Sequence, residues 1–305
     1  MASHNKPTVL ITGASQGGSG NALALEFAKK GYRVFATARS LRTLTNLTEN
    51  GIETLTLDVT DFESLVTLRD EIANRTGGKL DILFNNAGTL YDAPAIEQDP
   101  IRVKKMFDTN VFGLFDSISV FTPLLLKAAA SSSRAPTIVN VASILARIPM
   151  PFTAAYNATK AAVASYSDTL RLELEPLGIR VVTLYMGEVS TGLMLTDNIN
   201  FGPESIYADL EAKVKERTAN HAKTSVTPQE FAASVVPQVV GSNSNYIWKG
   251  TNAFLCWFLN AFAPHKSFDS SMKGTVGLSD KEITRLKESA SSTQASLGHV
   301  YLFRR

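Results

Sequence analysis

Cysteine occurs once in 305 residues, at Cys256, so no intrachain disulfide is possible and neither a zinc finger nor a cysteine-rich secreted scaffold fits. A reducing compartment is favoured, and no metal site is expected. Long blocks of one charge are also missing. The 30 Lys and Arg nearly balance the 28 Asp and Glu, and they are scattered, so no nucleic-acid partner is expected and any anion site must be local. Met1 to Pro7 is polar and passes directly into a strand-like run, without an apolar signal segment. That places the expected protein in the cytoplasm, or peripherally on a cytosol-facing membrane such as endoplasmic reticulum or lipid droplet. No internal repeat of the solenoid kind is visible.

What is present is an ordinary globular composition, 44% hydrophobic and 19% charged, with enough chain to bury a core. Short apolar runs alternate with longer amphipathic ones: Thr8 to Thr12, Asn21 to Lys30, Arg33 to Thr37, a polar helix-like stretch, then Ile52 to Leu57. The rhythm continues through Leu80 to Asn85, a long helical segment around Val103 to Ala130, Thr137 to Val141, a helix near Ala154 to Leu177, and Ile179 to Tyr185. Strands separated by helices predict right-handed crossovers, hence an α/β fold: a doubly wound parallel sheet with helices on both faces. Ser131-Ser132-Ser133, followed by Arg134 and Pro136, reads as a loop rather than a domain linker. Alternation fails from Gly187 to about Thr227, an insertion that would lie over a ligand crevice. A single domain over residues 1–250, including that substrate loop of about 187–227, is expected to carry a C-terminal apolar extension over 251–305.

Thr12-Gly13-Ala14-Ser15-Gln16-Gly17-Gly18-Ser19-Gly20 stands between the first strand and the first helix. Glycines there let the backbone turn and approach a pyrophosphate, whose charge is met by free N–H groups and the helix dipole. The second strand ends Ala36-Thr37-Ala38-Arg39, where an NAD-preferring protein would place an acid against the ribose hydroxyls. The acid is missing, and Arg39 can pair with a 2′-phosphate, so the expected cofactor is NADP(H). Asp58 closes the third strand and could accept from an adenine amino group. Asn85-Asn86-Ala87-Gly88 closes the fourth, and its Asn pair could either tie strand ends together or touch ligand.

Tyr156 and Lys160, four residues apart in a helical segment, share one face. An ammonium beside the phenol is expected to lower the Tyr pKa toward working pH, suiting it to exchange a proton with a substrate oxygen. Ser143, at the end of a strand, can reach the same edge and hydrogen-bond the carbonyl.

This ordered set resembles the short-chain dehydrogenase/reductase family over roughly the first 190 residues: Thr12-Gly13 with its glycines, Asn85-Asn86-Ala87-Gly88, Asn110, Ser143, Tyr156 and Lys160. The resemblance implies a Rossmann-type fold and hydride transfer between NAD(P)H and a carbonyl. It also implies that Asn110 holds a relay water and that Lys160 bonds the nicotinamide ribose. Val189 and Thr191 would meet the carboxamide end of the cofactor. The implied cofactor-binding set is Ile11, Gly13, Ser15, Gly17, Gly18, Ser19, Arg39, Asp58, Asn86, Ala87, Gly88, Tyr156, Lys160, Val189 and Thr191. Two departures stand out. The glycine loop has one residue more than the family's Thr-Gly-x-x-x-Gly-x-Gly, and the family's Pro-Gly after the sixth strand is Met186-Gly187.

Within the family the chain is similar to fungal NADPH-dependent 1-acyldihydroxyacetone-phosphate reductases, through Gly17-Gly18-Ser19-Gly20, Ala36-Thr37-Ala38-Arg39 and Tyr246-Ile247-Trp248-Lys249-Gly250. It is also similar to tailoring ketoreductases of secondary metabolism. The expected substrate is therefore a ketone on an apolar molecule. A non-catalytic NADP-binding sensor and an isomerase using the same Tyr are the alternatives. The run Ala253 to Ala263 falls short of the ~20 residues that span a bilayer. A wall of the substrate pocket, a homo-oligomer contact and a peripheral membrane helix are all open to it, with pocket or subunit burial expected ahead of lipid.

Overall fold

The computed structural model describes residues 6–131, 134–194, 196 and 199–297. Strands and helices alternate from its start: β1 Thr8–Ile11, α1 Ser19–Lys29, β2 Arg33–Ala38, α2 Thr45–Glu49, β3 Glu53–Thr56, α3 Phe62–Thr76, β4 Ile82–Asn85, α4 Pro100–Phe107, α5 Gly113–Ala129, β5 Thr137–Ser143 and α6 Ala154–Leu174. Then come β6 Arg180–Met186, α7 Glu211–Thr224, α8 Pro228–Gly241, β7 Tyr246–Lys249, α9 Ala253–Phe262, α10 Asp269–Thr275 and α11 Asp280–Leu297. The seven strands form one sheet, β3-β2-β1-β4-β5-β6-β7, and every pairing in it is parallel.

The period of two in β1 divides the core. Val9 and Ile11 pack beneath α1 and α8, whereas Leu10, with Phe35 of β2 and Leu83 of β4, packs beneath α3, α5 and α6. Helices thus cover both faces, as the alternation of the sequence predicts. Four of them start on side-chain caps: Asp61 accepts from Glu63 N, Asp99 accepts from Ile101 N ahead of Pro100, Thr227 forms a capping box with Glu230, and Ser279 accepts from Glu282 N.

The long helical segment expected around Val103 to Ala130 is present as α4 and α5, continuous through a π-helical turn over Asp108–Phe112 that contains Asn110. One element differs from expectation. β7 is an unexpected strand. Its four residues bury a single side chain fully, Ile247, which is too little alternation to mark it in sequence. Ser132 and Ser133 of the expected loop lie outside the described residues, as do Met1 to Asn5 and residues 298–305.

The C-terminal extension is packed onto the segment between β6 and α8. Val276 and Leu278 join Phe152, Leu210 and Val214 of α7 in one small core, with Phe201 and Tyr207 against it. Phe152 takes a φ of 69°, a left-handed conformation rare for a bulky residue, four positions before Tyr156.

Candidate active site

β1 and β4 are neighbours, yet the chain leaves them toward opposite faces of the sheet, which opens a crevice at their carboxyl ends. The crevice holds about 630 Å³, and its walls include Gly13, Ser15, Gly18, Ser19, Arg39, Asp58, Asn86, Ala87, Gly88, Tyr156, Lys160 and Thr191.

Gly13 makes the first turn, with φ of 69°, and brings the loop against the fourth strand's end so closely that a Cβ would lie 2.8 Å from Ala87 Cα. Hydrogen bonds then lock the two loops together. The Thr12 hydroxyl accepts from Asn86 N and Ala87 N, both at 3.0 Å. The Asn86 amide donates to the carbonyls of Thr12 and Gly13 at 3.0 and 2.9 Å, and the Ser19 hydroxyl donates to Asn86 Oδ1 at 2.9 Å. Asn85 donates to Asn140 Oδ1 at 2.9 Å, so of its two open roles the structure shows the strand tie. Helix α1, in contrast to α3, α4 and α8, begins on Gly18 without any side-chain cap. Its first-turn N–H groups are left to an external acceptor, and a pyrophosphate is the group that this end of a helix suits.

The rim carries the charge expected. Arg39 is exposed beside Ala38, and Ser15 Oγ lies 3.1 Å from Thr43 Oγ1, which ties the glycine loop to the segment after β2. Partial burial raises the Asp58 carboxyl, but hydrogen bonds from Thr60 N and Oγ1, at 2.9 and 2.7 Å, and the charge of Arg39 outweigh it and hold the group below the usual carboxylate range.

Tyr156 and Lys160 project from α6 to the floor of the crevice, with Lys160 Nζ 5.8 Å from the centre of the phenol ring. Ser143, at the end of β5, lies within hydrogen-bonding reach of the phenol and accepts from Leu145 N at 3.1 Å, so its O–H points to the phenol side. The expected lowering of the phenol is not what the chain alone produces. Enclosure by protein pushes Tyr156 up to about 12, the Ser143 hydrogen bond opposes this, and the charge of Asp92 adds to it. Lys160 is itself brought down to about 8 by burial, and Nζ donates to the Val141 carbonyl at 2.8 Å. Desolvation of both groups exceeds their mutual effect. The phenol is thereby kept protonated, the state required of an acid.

Asn110 lies one layer below. Its Oδ1 accepts from Thr89 N at 2.8 Å, and its Nδ2 donates to Thr89 O and Thr159 Oγ1 at 2.9 and 3.1 Å. With both ends of its amide engaged, the side chain positions the Gly88–Thr89 turn. Three further expected contacts fall outside the crevice. Ile11 and Val189 have side chains wholly in the core, and Gly17 sits at the exposed tip of the loop. Thr60, Thr89, Lys105 and Leu193 line the crevice without having been singled out. Thr60 was detectable, since Asp-x-Thr after a strand favours an Asx turn, but Lys105 reaches the site only through the placement of α4.

α9 does not wall the crevice. Ala253 and Cys256 anchor it on Ile144 and Ile148, while Phe254 and Phe262 are 71% and 72% exposed and Leu255, Trp257 and Phe258 face outward with them. Among the described residues, no cluster of His, Cys, Asp or Glu could hold a metal ion.

Comparison with known proteins agrees with this geometry. A family model described as short chain dehydrogenase matches residues 7–200. An NADPH-dependent 1-acyldihydroxyacetone phosphate reductase of Schizosaccharomyces pombe is 42% identical over 246 residues, which are 78% of this chain and 80% of that protein. Short-chain dehydrogenase virD of Hypocrea virens is 39% identical over 256 residues, 83% of this chain and 87% of its own. Among solved structures, a short-chain dehydrogenase from Streptomyces avermitilis superposes with a TM-score of 0.71 at 26% identity, covering 90% of this chain and 99% of that one. A match that begins before β1, runs beyond β6 and contains Ser143, Tyr156 and Lys160 makes this chain a member of the short-chain dehydrogenase family.

Proposed function

We propose that the chain reduces a ketone carried by an apolar molecule, with NADPH as cofactor and Tyr156 as proton donor. One observation carries this: the Tyr156 phenol stands in the crevice with the Ser143 hydroxyl in hydrogen-bonding reach and Lys160 Nζ 5.8 Å from its ring centre. The residues that would hold NADPH are Arg39 at the 2′-phosphate, Ser15, Gly18 and the start of α1 at the pyrophosphate, and Asp58 at the adenine amino group. Lys160 would meet the nicotinamide ribose and Thr191 the carboxamide end. When bound, the cofactor supplies a hydride to the carbonyl carbon.

The protein's own groups act at the carbonyl oxygen. Ser143 donates a hydrogen bond to it and fixes its position against the phenol. Tyr156 then transfers its proton to that oxygen, and the Lys160 ammonium, still mostly charged at neutral pH, stabilises the phenolate left behind. The name of the Schizosaccharomyces pombe relative supports a reductase, the phosphorylated cofactor and a substrate with an acyl chain.

The test follows NADPH absorbance against acyl-dihydroxyacetone phosphates and polyketide-like ketones. Tyr156→Phe keeps the ring and removes the proton, so turnover is expected to fall by ~10²–10⁴ while NADPH affinity survives. Turnover at the wild-type rate would remove Tyr156 from the mechanism.

A further inference from the structure

Asp92 and Arg217 meet beside the proton donor but outside the cofactor's crevice. Asp92 belongs to the segment that leaves β4, and the next residue, Ala93, packs with Tyr91, Ala155 and Tyr156. Ala93 N also donates to the Phe152 carbonyl at 2.8 Å, so this segment borders the strained turn before α6. Arg217 comes from α7, in the insertion after β6, and its Nη2 lies 3.4 Å from Asp92 Oδ2 and 3.3 Å from Thr218 Oγ1. The two side chains are only 4% and 9% exposed.

A buried ion pair is normally completed by further hydrogen bonds, because each charge has lost its water. This one is not. Asp92 Oδ1 and Arg217 Nε and Nη1 are buried without a partner. Consistent with an undersupported carboxylate, burial pushes Asp92 up to about 6 against the pull of Arg217. The charge of Asp92 reaches Tyr156, so this carboxylate lies within electrostatic range of the transferred proton.

The neighbouring charges decide what would satisfy them. Glu188 faces the pair from the end of β6 and accepts from Asn252 at 3.3 Å and from Ser225 at 3.5 Å. His221, one turn along α7, lies 3.7 Å from Glu188 and is lowered from 6.5 mainly by burial, so it is neutral at neutral pH. Two carboxylates against one guanidinium leave this region net negative, which disfavours an anionic group. One orphaned acceptor beside two orphaned donors matches hydroxyl groups instead, since a hydroxyl both donates and accepts.

We infer that Asp92 and Arg217 form a substrate subsite that recognises an uncharged, hydroxyl-bearing ketone: Asp92 Oδ1 accepts from the substrate hydroxyl, and Arg217 Nε and Nη1 donate to its oxygens. The inference rests on the ketone-reductase function proposed above and narrows it.

The test uses α-tetralones carrying a methyl, hydroxyl or carboxylate group at each aromatic ring position. Equilibrium binding to the protein loaded with NADP⁺ is measured by calorimetry, and turnover by NADPH absorbance. With wild type, one hydroxylated tetralone is expected to bind about tenfold or more tighter than its methyl counterpart, the carboxylate weakest of the three. Arg217→Gln and Asp92→Asn should each bring the hydroxyl-to-methyl ratio toward one. Arg217→Lys keeps the ion pair, loses the Nε donor and should reduce the same ratio while the protein stays folded. A merely structural pair would lower stability and weaken all the tetralones alike, with the ratio unchanged, and that result overturns the inference. Tightest binding of the carboxylate overturns it too. Absence of NADPH oxidation with every ketone would instead strike at the reductase function, while the binding ratios still report on the subsite.

Discussion

Lys160 stabilises a phenolate in the proposed reaction, and the fold bears its burial as a loss of stability. Its side chain is 5% exposed, and its pKa falls from 10.5 to about 8 through desolvation. That fall corresponds to about 3 kcal/mol at any pH below 8, because folding must then bury an ammonium that the unfolded chain keeps in water. Between pH 8 and 10.5 the folded protein releases this proton while the unfolded chain retains it, so the penalty fades and stability from this group rises with pH. Lys160→Met removes the penalty but also the hydrogen bond to the Val141 carbonyl, worth about 1 kcal/mol. The variant is therefore expected to be more stable than wild type by about 2 kcal/mol at pH 7, a Tm about 3 °C higher for a chain of this length. At pH 9.5 the gain should nearly vanish. Thermal unfolding of both proteins at the two pH values, beside NADPH oxidation, is the assay, and turnover should be lost although stability improves. A variant less stable than wild type at pH 7, with a gap that does not change toward pH 9.5, would refute the claim that burial governs this lysine.

Cofactor choice should respond to the rim of the same crevice. Arg39→Ala removes a charge-assisted contact at an exposed position, so NADPH should weaken about tenfold or more and NADH hardly at all in fluorescence titration, and a wild-type preference for NADH would refute the assignment. The outward face of α9 exposes Phe254, Leu255, Trp257, Phe258 and Phe262 together and is expected to be covered by a second copy. Light scattering should then show Trp257→Glu at a lower mass than wild type, with reduction of a small soluble ketone intact. Flotation of wild type with anionic vesicles, lost in Trp257→Glu, would assign the face to lipid instead.

Much of the chemistry was legible because it depends on local order. The glycines after β1, the absence of an acid beside Arg39, and Tyr156 four residues before Lys160 all lie within one strand–turn–helix unit or one helical turn, where spacing alone sets geometry. The strand alternation was legible for the same reason: residues buried on both faces must be apolar throughout, as in Val9, Leu10 and Ile11. Spacing alone did not show that Gly17 is exposed and stands outside the crevice lining.

By itself, then, the sequence determined the parallel α/β order and marked the carboxyl edge as the candidate site and Tyr156 as the candidate proton donor, because each follows from short-range periodicity and side-chain type. Tertiary structure decided the rest. Only packing could set both ends of the Asn110 amide on Thr89 and Thr159. Only burial could raise Tyr156 to about 12 and lower Lys160 to about 8, reversing the shift that their spacing predicts for the phenol. And only the docking of α7 could set Arg217 against Asp92, 125 positions away, because desolvation and contact are properties of what surrounds a group, and sequence spacing does not carry them.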